Sequence, residues 1–194
     1  MTAGASELED TARALRAECG RLLAQTRLLD LLGRYGRPKV TGSYALDLMV
    51  WRDLDVELLV ENLDVSRFFE LGREIAASLR PARMSFRDER LLNTDGLPLG
   101  LYWGIHLPAE SGWKIDLWAM ERAEMDRRSP YVAWVQAGLS PETRAAILSI
   151  KNAVWTDPLY RSAYSSKDIY DAVLAEGVKD LDGFRNSIRA RKGT

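Results

Sequence analysis

Three aspartates and a Gly-Ser pair are the residues of this chain whose types and spacing could do chemistry. Thr41-Gly42-Ser43 is followed, after nine intervening residues, by Asp53-Leu54-Asp55, and much later Asp116 stands within Trp113-Lys114-Ile115-Asp116-Leu117-Trp118. Residues two apart in an extended strand share a face, so Asp53 and Asp55 can aim their carboxylates at one cation. Hard divalent ions, magnesium above all, are held by one or two carboxylates together with the phosphates of a bound substrate. Asp116, on a second strand whose Ile115 and Leu117 turn to the core, can project onto the same side and complete a site for two ions. Two such ions stabilise the attacking and leaving oxygens of an in-line phosphoryl displacement. Gly42 lets the backbone come close to a phosphate, and the amide and hydroxyl of Ser43 supply donors to it. The tripeptide by itself carries little weight: Asp180-Leu181-Asp182 repeats it beside Gly183, where it reads as a helix start. The competing reading of residues 53 to 60 is a surface strand with a solvated acidic face, followed by an unrelated aspartate in a hairpin.

The elements that must position these residues are visible as changes of period. Leu8, Ala12, Leu15, Cys19, Leu22, Thr26 and Leu29 recur at spacings of four and three after a Ser6-x-x-Glu9 capping box, which predicts a long N-terminal amphipathic helix stopping at Gly33, Gly36 or Pro38. Its heptad character fits packing against the chain's own core, with a homodimer through this helix as the other use. Pro38 to Thr41 reads as a short strand and Asp53 to Val60 as a strand with one acidic face. Val65 to Leu79 traces a helix ending near Pro81, with Phe68 and Phe69 on its core side. A strand around Met84 to Leu92 is followed by an antiparallel hairpin, Leu99 to Leu107 and Trp113 to Met120, about the turn 108–112. If that hairpin pairs tightly, His106 lies across from Lys114 and Gly104 across from Asp116. Gly104 would then leave room beside the carboxylate, and His106 serves either as a structural hydrogen-bonder or as a contact to ligand. Helices follow near 142–155, 167–176 and 181–191. The fold class is therefore α+β: a mixed sheet core over 37–120, a leading helix over 1–36 and a helical segment over 121–194.

Composition narrows the function classes. The 194 residues carry 27 Lys plus Arg against 28 Asp plus Glu, a net charge of -1, with 46% hydrophobic side chains. This is a globular composition with no overall attraction for phosphate polymers, so a nucleic acid partner and a membrane partner are not expected. One cysteine, Cys19, and one histidine, His106, exclude an internal disulfide and thiolate-cluster or multi-histidine metal sites. No stretch is long and apolar enough to span a bilayer, and the first residues do not read as a secretory signal, so a cytoplasmic location is expected.

The Gly-Ser, the gap, the acidic pair and the alternating strand together resemble the nucleotidyltransferase superfamily of the DNA polymerase beta-like fold, closest in character to its minimal and antibiotic-modifying members. The resemblance runs from Val40 to Met120. It implies that Gly42 and Ser43 grip the triphosphate of a nucleotide, that Asp53 and Asp55 bind two magnesium ions, and that Asp116 is a metal ligand able to deprotonate an acceptor hydroxyl. It also implies a phosphate contact for Lys151, on a C-terminal helix. The activity so implied is transfer of a nucleoside monophosphate from an NTP to a hydroxyl of a small molecule or protein, with release of pyrophosphate. The alternative is a non-catalytic nucleotide-binding or antitoxin-like interaction protein on the same fold.

Overall fold

A computed structural model describes residues 3–192, which form five strands and nine helices. The long helix α1 covers Ala3–Thr26. It is already helical before Ser6, so the expected capping box does not start it: Ser6 lies exposed inside a continuous helix. Nor does α1 run to the glycines. It breaks at Arg27, whose backbone is left-handed (φ 50°), and a short α2 then covers Leu28–Gly33. Of the seam residues, Ala12 and Cys19 are buried within the chain, and burial pushes the Cys19 thiol up to about 12, as suits a small packed hydrophobe.

The chain divides into two compact units. The larger, residues 16–47 and 52–130, is built on a five-stranded mixed sheet of order β1-β2-β5-β4-β3. Its strands are β1 (Arg37–Thr41), β2 (Asp53–Leu59), β3 (Arg83–Asp88), β4 (Leu101–His106) and β5 (Lys114–Met120). β2 and β5 are parallel and the remaining neighbours antiparallel. A four-residue helical turn, α3 (Gly42–Ala45), links β1 towards β2.

Period-2 alternation gives this sheet two unlike faces. Leu54, Val56 and Leu58 of β2, Ile115, Leu117 and Ala119 of β5, and Leu101, Trp103 and Ile105 of β4 are all buried. Each Leu, Ile or Val among them contributes about 1.5–3 kcal/mol by leaving water. Helix α4 (Val65–Leu79) contributes Phe68, Leu71 and Ile75 to the same core, and the Trp103 indole donates to the Phe68 carbonyl at 3.1 Å. Phe68 stacks on Trp103 at 5.9 Å within the core, whereas Phe69, expected on the core side, meets the Trp103 edge from a position 46% exposed. Asp64 starts α4 by accepting from the Arg67 amide, and the helix stops at left-handed Arg80 before Pro81. β3 ends at Asp88, short of the expected Leu92. The Asp88 carboxylate there accepts from the Arg90 amide and guanidinium and turns the chain into α5 (Glu89–Leu92). The helix α6 (Arg122–Gly138) follows β5.

Among the described residues the smaller unit comprises 3–15, 48–51 and 131–192. Its helices are α7 (Pro141–Val154), α8 (Ser166–Glu176) and α9 (Leu181–Lys192). Ser140 caps α7 with Pro141 in its first turn. Asp180 accepts from the Gly183 amide at the start of α9, so the second Asp-Leu-Asp is a helix start.

Candidate active site

The opposite face of the sheet is polar, and the register of its strands brings the acids together. In the parallel β2/β5 ladder Asp55 lies directly beside Asp116, and Asp53 beside Lys114. The other neighbour of Asp55 is Thr41, the last residue of β1, so the chain leaves β1 as Gly42 right at the carboxylate. Gly42 has φ +60°, and a Cβ placed on it would overlap the Asp55 carboxyl group. Glycine is required there twice over, by backbone conformation and by space. Ser43 follows, buried in the first turn of α3.

The hairpin pairs as its spacing predicts, Gly104 opposite Asp116 and His106 opposite Lys114. The room beside Gly104 is filled by the Tyr102 phenol: a Cβ on Gly104 would stand 2.5 Å from the Tyr102 hydroxyl and 2.8 Å from the Ser85 hydroxyl. The Tyr102 hydroxyl donates to Asp116 Oδ1. Burial, and then the charge and hydrogen bond of Asp116, push the Tyr102 phenol well above its ordinary range, which keeps it a donor. The Arg87 guanidinium lies over the Tyr102 ring at 4.3 Å and over Trp118 at 5.6 Å. Arg83 Nη2 meets His106 Nε2 at 2.7 Å. A guanidinium only donates, so that nitrogen accepts, and the imidazole has a structural hydrogen bond.

Lys114 completes the cluster. Its ammonium pairs with Asp116 Oδ2 and stands 3.7 Å from Asp53 Oδ1, with 20% of its side chain exposed. Asp53 itself is 7% exposed. Glu57, the next residue along the face, is raised by burial, which Arg128 and Lys39 partly oppose. The entries to both acidic strands are tied to α1: Glu18 accepts from Arg52 Nε at 2.7 Å, from Arg52 Nη2 at 3.1 Å and from Trp113 Nε1 at 3.0 Å. Arg52 immediately precedes Asp53, and Trp113 precedes Lys114.

Among the described residues no three Asp, Glu, His or Cys side chains stand ready around a metal ion as they are. The donor set nevertheless fits a hard divalent cation, because it consists of carboxylate oxygens on neighbouring strands that already hold a positive charge, the Lys114 ammonium. Sequence reasoning names Lys114 only as the residue across from His106 and does not find its pairing with the acids. It does not find Tyr102, Arg87 or Glu18 either. The one sequence signal for Tyr102 is the alternation of Tyr102, Gly104 and His106 against Lys114 and Asp116, and neither Arg87 nor Glu18 has one.

Lys151 belongs to the smaller unit. It is 1% exposed, and its ammonium donates to the Leu48 carbonyl at 2.7 Å and to the Tyr170 hydroxyl at 3.3 Å, with the Trp51 ring 5.2 Å away. In this structure it anchors the segment 48–51, and a phosphate contact for it rests on the resemblance alone.

No family model matches the chain, and no curated protein matches it. Solved structures do. The Cid1 poly(U) polymerase, an H336N mutant bound to MgATP, superposes with a TM-score of 0.60 at 12% identity, covering 90% of this chain and 55% of that one. A cytoplasmic RNA terminal U-transferase gives 0.57 at 12% identity, over 89% and 55%. Terminal uridylyl transferase 4 from Trypanosoma brucei with bound dUTP gives 0.56 at 15% identity, over 87% and 58%. The chain thus spans a little over half the length of these three proteins. With the mixed sheet, the Gly-Ser turn and the paired acidic strands in place, the chain has the fold of the DNA polymerase beta-like nucleotidyltransferases.

Proposed function

We propose that the protein is a magnesium-dependent nucleotidyltransferase, moving a nucleoside monophosphate from an NTP to a hydroxyl group and releasing pyrophosphate. One observation carries the reading: Asp55 and Asp116 are direct neighbours on parallel strands, with Gly42 packed against the Asp55 carboxylate. Asp53, Asp55 and Asp116 would hold the divalent ions, and the backbone at Gly42 and Ser43 would donate to the triphosphate. Bound divalent ions supply charge neutralisation at the phosphates and make the acceptor hydroxyl more acidic. In the transfer, the bond from the α-phosphorus to the bridging oxygen breaks, a bond to the acceptor oxygen forms, pyrophosphate leaves, and the Asp116 carboxylate takes the acceptor proton.

The first reading of the acceptor is a hydroxyl of a small molecule or a protein side chain. The 3′ end of an RNA is the second reading, favoured by the neighbours named as a poly(U) polymerase and as terminal uridylyl transferases. The sequence-based exclusion of nucleic acid is not supported. Net charge averages over the whole surface and says nothing of a single groove, and Arg83 and Arg87 lie on the acid-bearing face itself. Incubation with each NTP and magnesium, with pyrophosphate release followed against panels of hydroxyl compounds, proteins and RNA oligomers, tests both readings. Release with an acceptor, abolished in D55N, supports transfer. RNA extension that weakens steeply with salt selects the second acceptor, and NTP binding with no release under any acceptor contradicts the enzyme.

A further inference from the structure

We propose that Lys114 is a built-in counter-ion of the acidic site, holding the Asp53 and Asp116 carboxylates in the metal-free protein and yielding its place to a divalent cation. Released, its ammonium is positioned to meet the phosphates of the bound triphosphate. The inference rests on the reading of the three acids as cation ligands and adds the residue that competes with the cation.

Backbone register, rather than a chance rotamer, puts the ammonium there. Lys114 is the ladder partner of Asp53 and stands two residues before Asp116 on the same strand, so all three side chains leave one face of the sheet. Its amine reaches both carboxylates, pairing with Asp116 and standing 3.7 Å from Asp53. The position beyond it, His106, is already engaged with Arg83, so the acids are where the lysine charge goes. Three carboxylates crowded on a half-buried face repel one another, and a fixed cation offsets that repulsion. A divalent ion at the same oxygens would stand within a few ångströms of the ammonium, where like charges strongly disfavour each other. The ammonium and the ion therefore exclude one another at Asp116 Oδ2.

Two measurements on the full chain decide it. Mn2+ affinity, read from the electron paramagnetic resonance of the free ion, is compared for wild type, K114M, K114Q and D116N, with folding of each confirmed by circular dichroism. Removing the competing charge should tighten Mn2+ binding by about tenfold or more in both lysine variants, whereas D116N should weaken it. Independently of any substitution, acetylation of Lys114 in the wild type, read by peptide mapping, should be slow without metal and accelerate when Mg2+ is added. Equal Mn2+ affinity in wild type and the lysine variants overturns the role of Lys114, as does labelling indifferent to Mg2+. Absence of Mn2+ binding in every form, including wild type, overturns instead the reading of the acids as cation ligands.

Discussion

Replacing Gly42 by alanine adds one methyl group at the point where the phosphate turn meets the acids, and its consequences follow from two numbers. The backbone there has φ +60°, which costs alanine about 1–2 kcal/mol relative to glycine. The new methyl would lie 2.6 Å from Asp55 Cγ and 2.9 Å from Asp55 Cβ, whereas carbons pack comfortably at about 3.5–4.0 Å, so the carboxyl group must retreat by about 1 Å. The protein should fold but lose about 1–3 kcal/mol, read as a lower urea midpoint at unchanged slope. A displacement of about 1 Å in a reacting group costs about 10²-fold in rate, so pyrophosphate release at saturating NTP and magnesium should fall by that factor. G33A is the control, since a methyl on Gly33 meets nothing within 4 Å and its φ is not left-handed, and it should leave both readouts in place. A G42A protein with the wild-type urea midpoint and undiminished turnover would refute the packing of this turn against Asp55.

Further expectations concern the acids and their supports. D55N and D116N should each lower pyrophosphate release by about 10²–10³-fold, the effect of several kcal/mol of lost charge stabilisation, while retaining the far-ultraviolet circular dichroism of wild type. E18Q, which loses the charged clamp on Arg52 and Trp113, should destabilise the fold by about 1 kcal/mol or less at neutral pH, given the exposure of the pair, as measured by urea unfolding. The Arg52 guanidinium holds the Glu18 carboxyl below its ordinary value, so this stabilisation is present at neutral pH and disappears as pH falls through the glutamate range; the difference between wild type and E18Q should shrink there. Glu57 shows the opposite sign: burial raises it, folding therefore disfavours its ionised form, and E57Q should raise the melting temperature at pH 7 with the gain vanishing in acid.

Local chemistry made much of this fold legible, and long-range pairing made the rest opaque. The register of the β4–β5 hairpin, Gly104 with Asp116 and His106 with Lys114, could be read because a short turn at 108–112 leaves tight pairing one natural alignment. Asp64, Ser140 and Asp180 start helices where their side-chain chemistry says they should. The Ser6–Glu9 box does not, because the backbone is already helical upstream and nothing in a capping pattern forbids a helix from running through it. The break at Arg27 carries no glycine or proline signal; it is a non-glycine residue in a left-handed conformation that no periodicity foretells. The acids themselves were identifiable from spacing, but that Asp55 and Asp116 are parallel neighbours depends on a ladder between strands distant in the chain. The contact of Lys114 with Asp53 depends on the same ladder, whereas Lys114 and Tyr102 meet Asp116 within β5 and the β4–β5 hairpin, where strand alternation places them on one face but does not say which way each side chain leans.

Anomalous diffraction from crystals grown with Mn2+ and a non-hydrolysable nucleoside triphosphate tests the central claim most directly. The account predicts manganese bound between the carboxylates of Asp55 and Asp116, with triphosphate oxygens against the Gly42–Ser43 turn and the Lys114 ammonium no longer on Asp116. Manganese absent from these carboxylates, or a triphosphate seated away from Gly42, would contradict it.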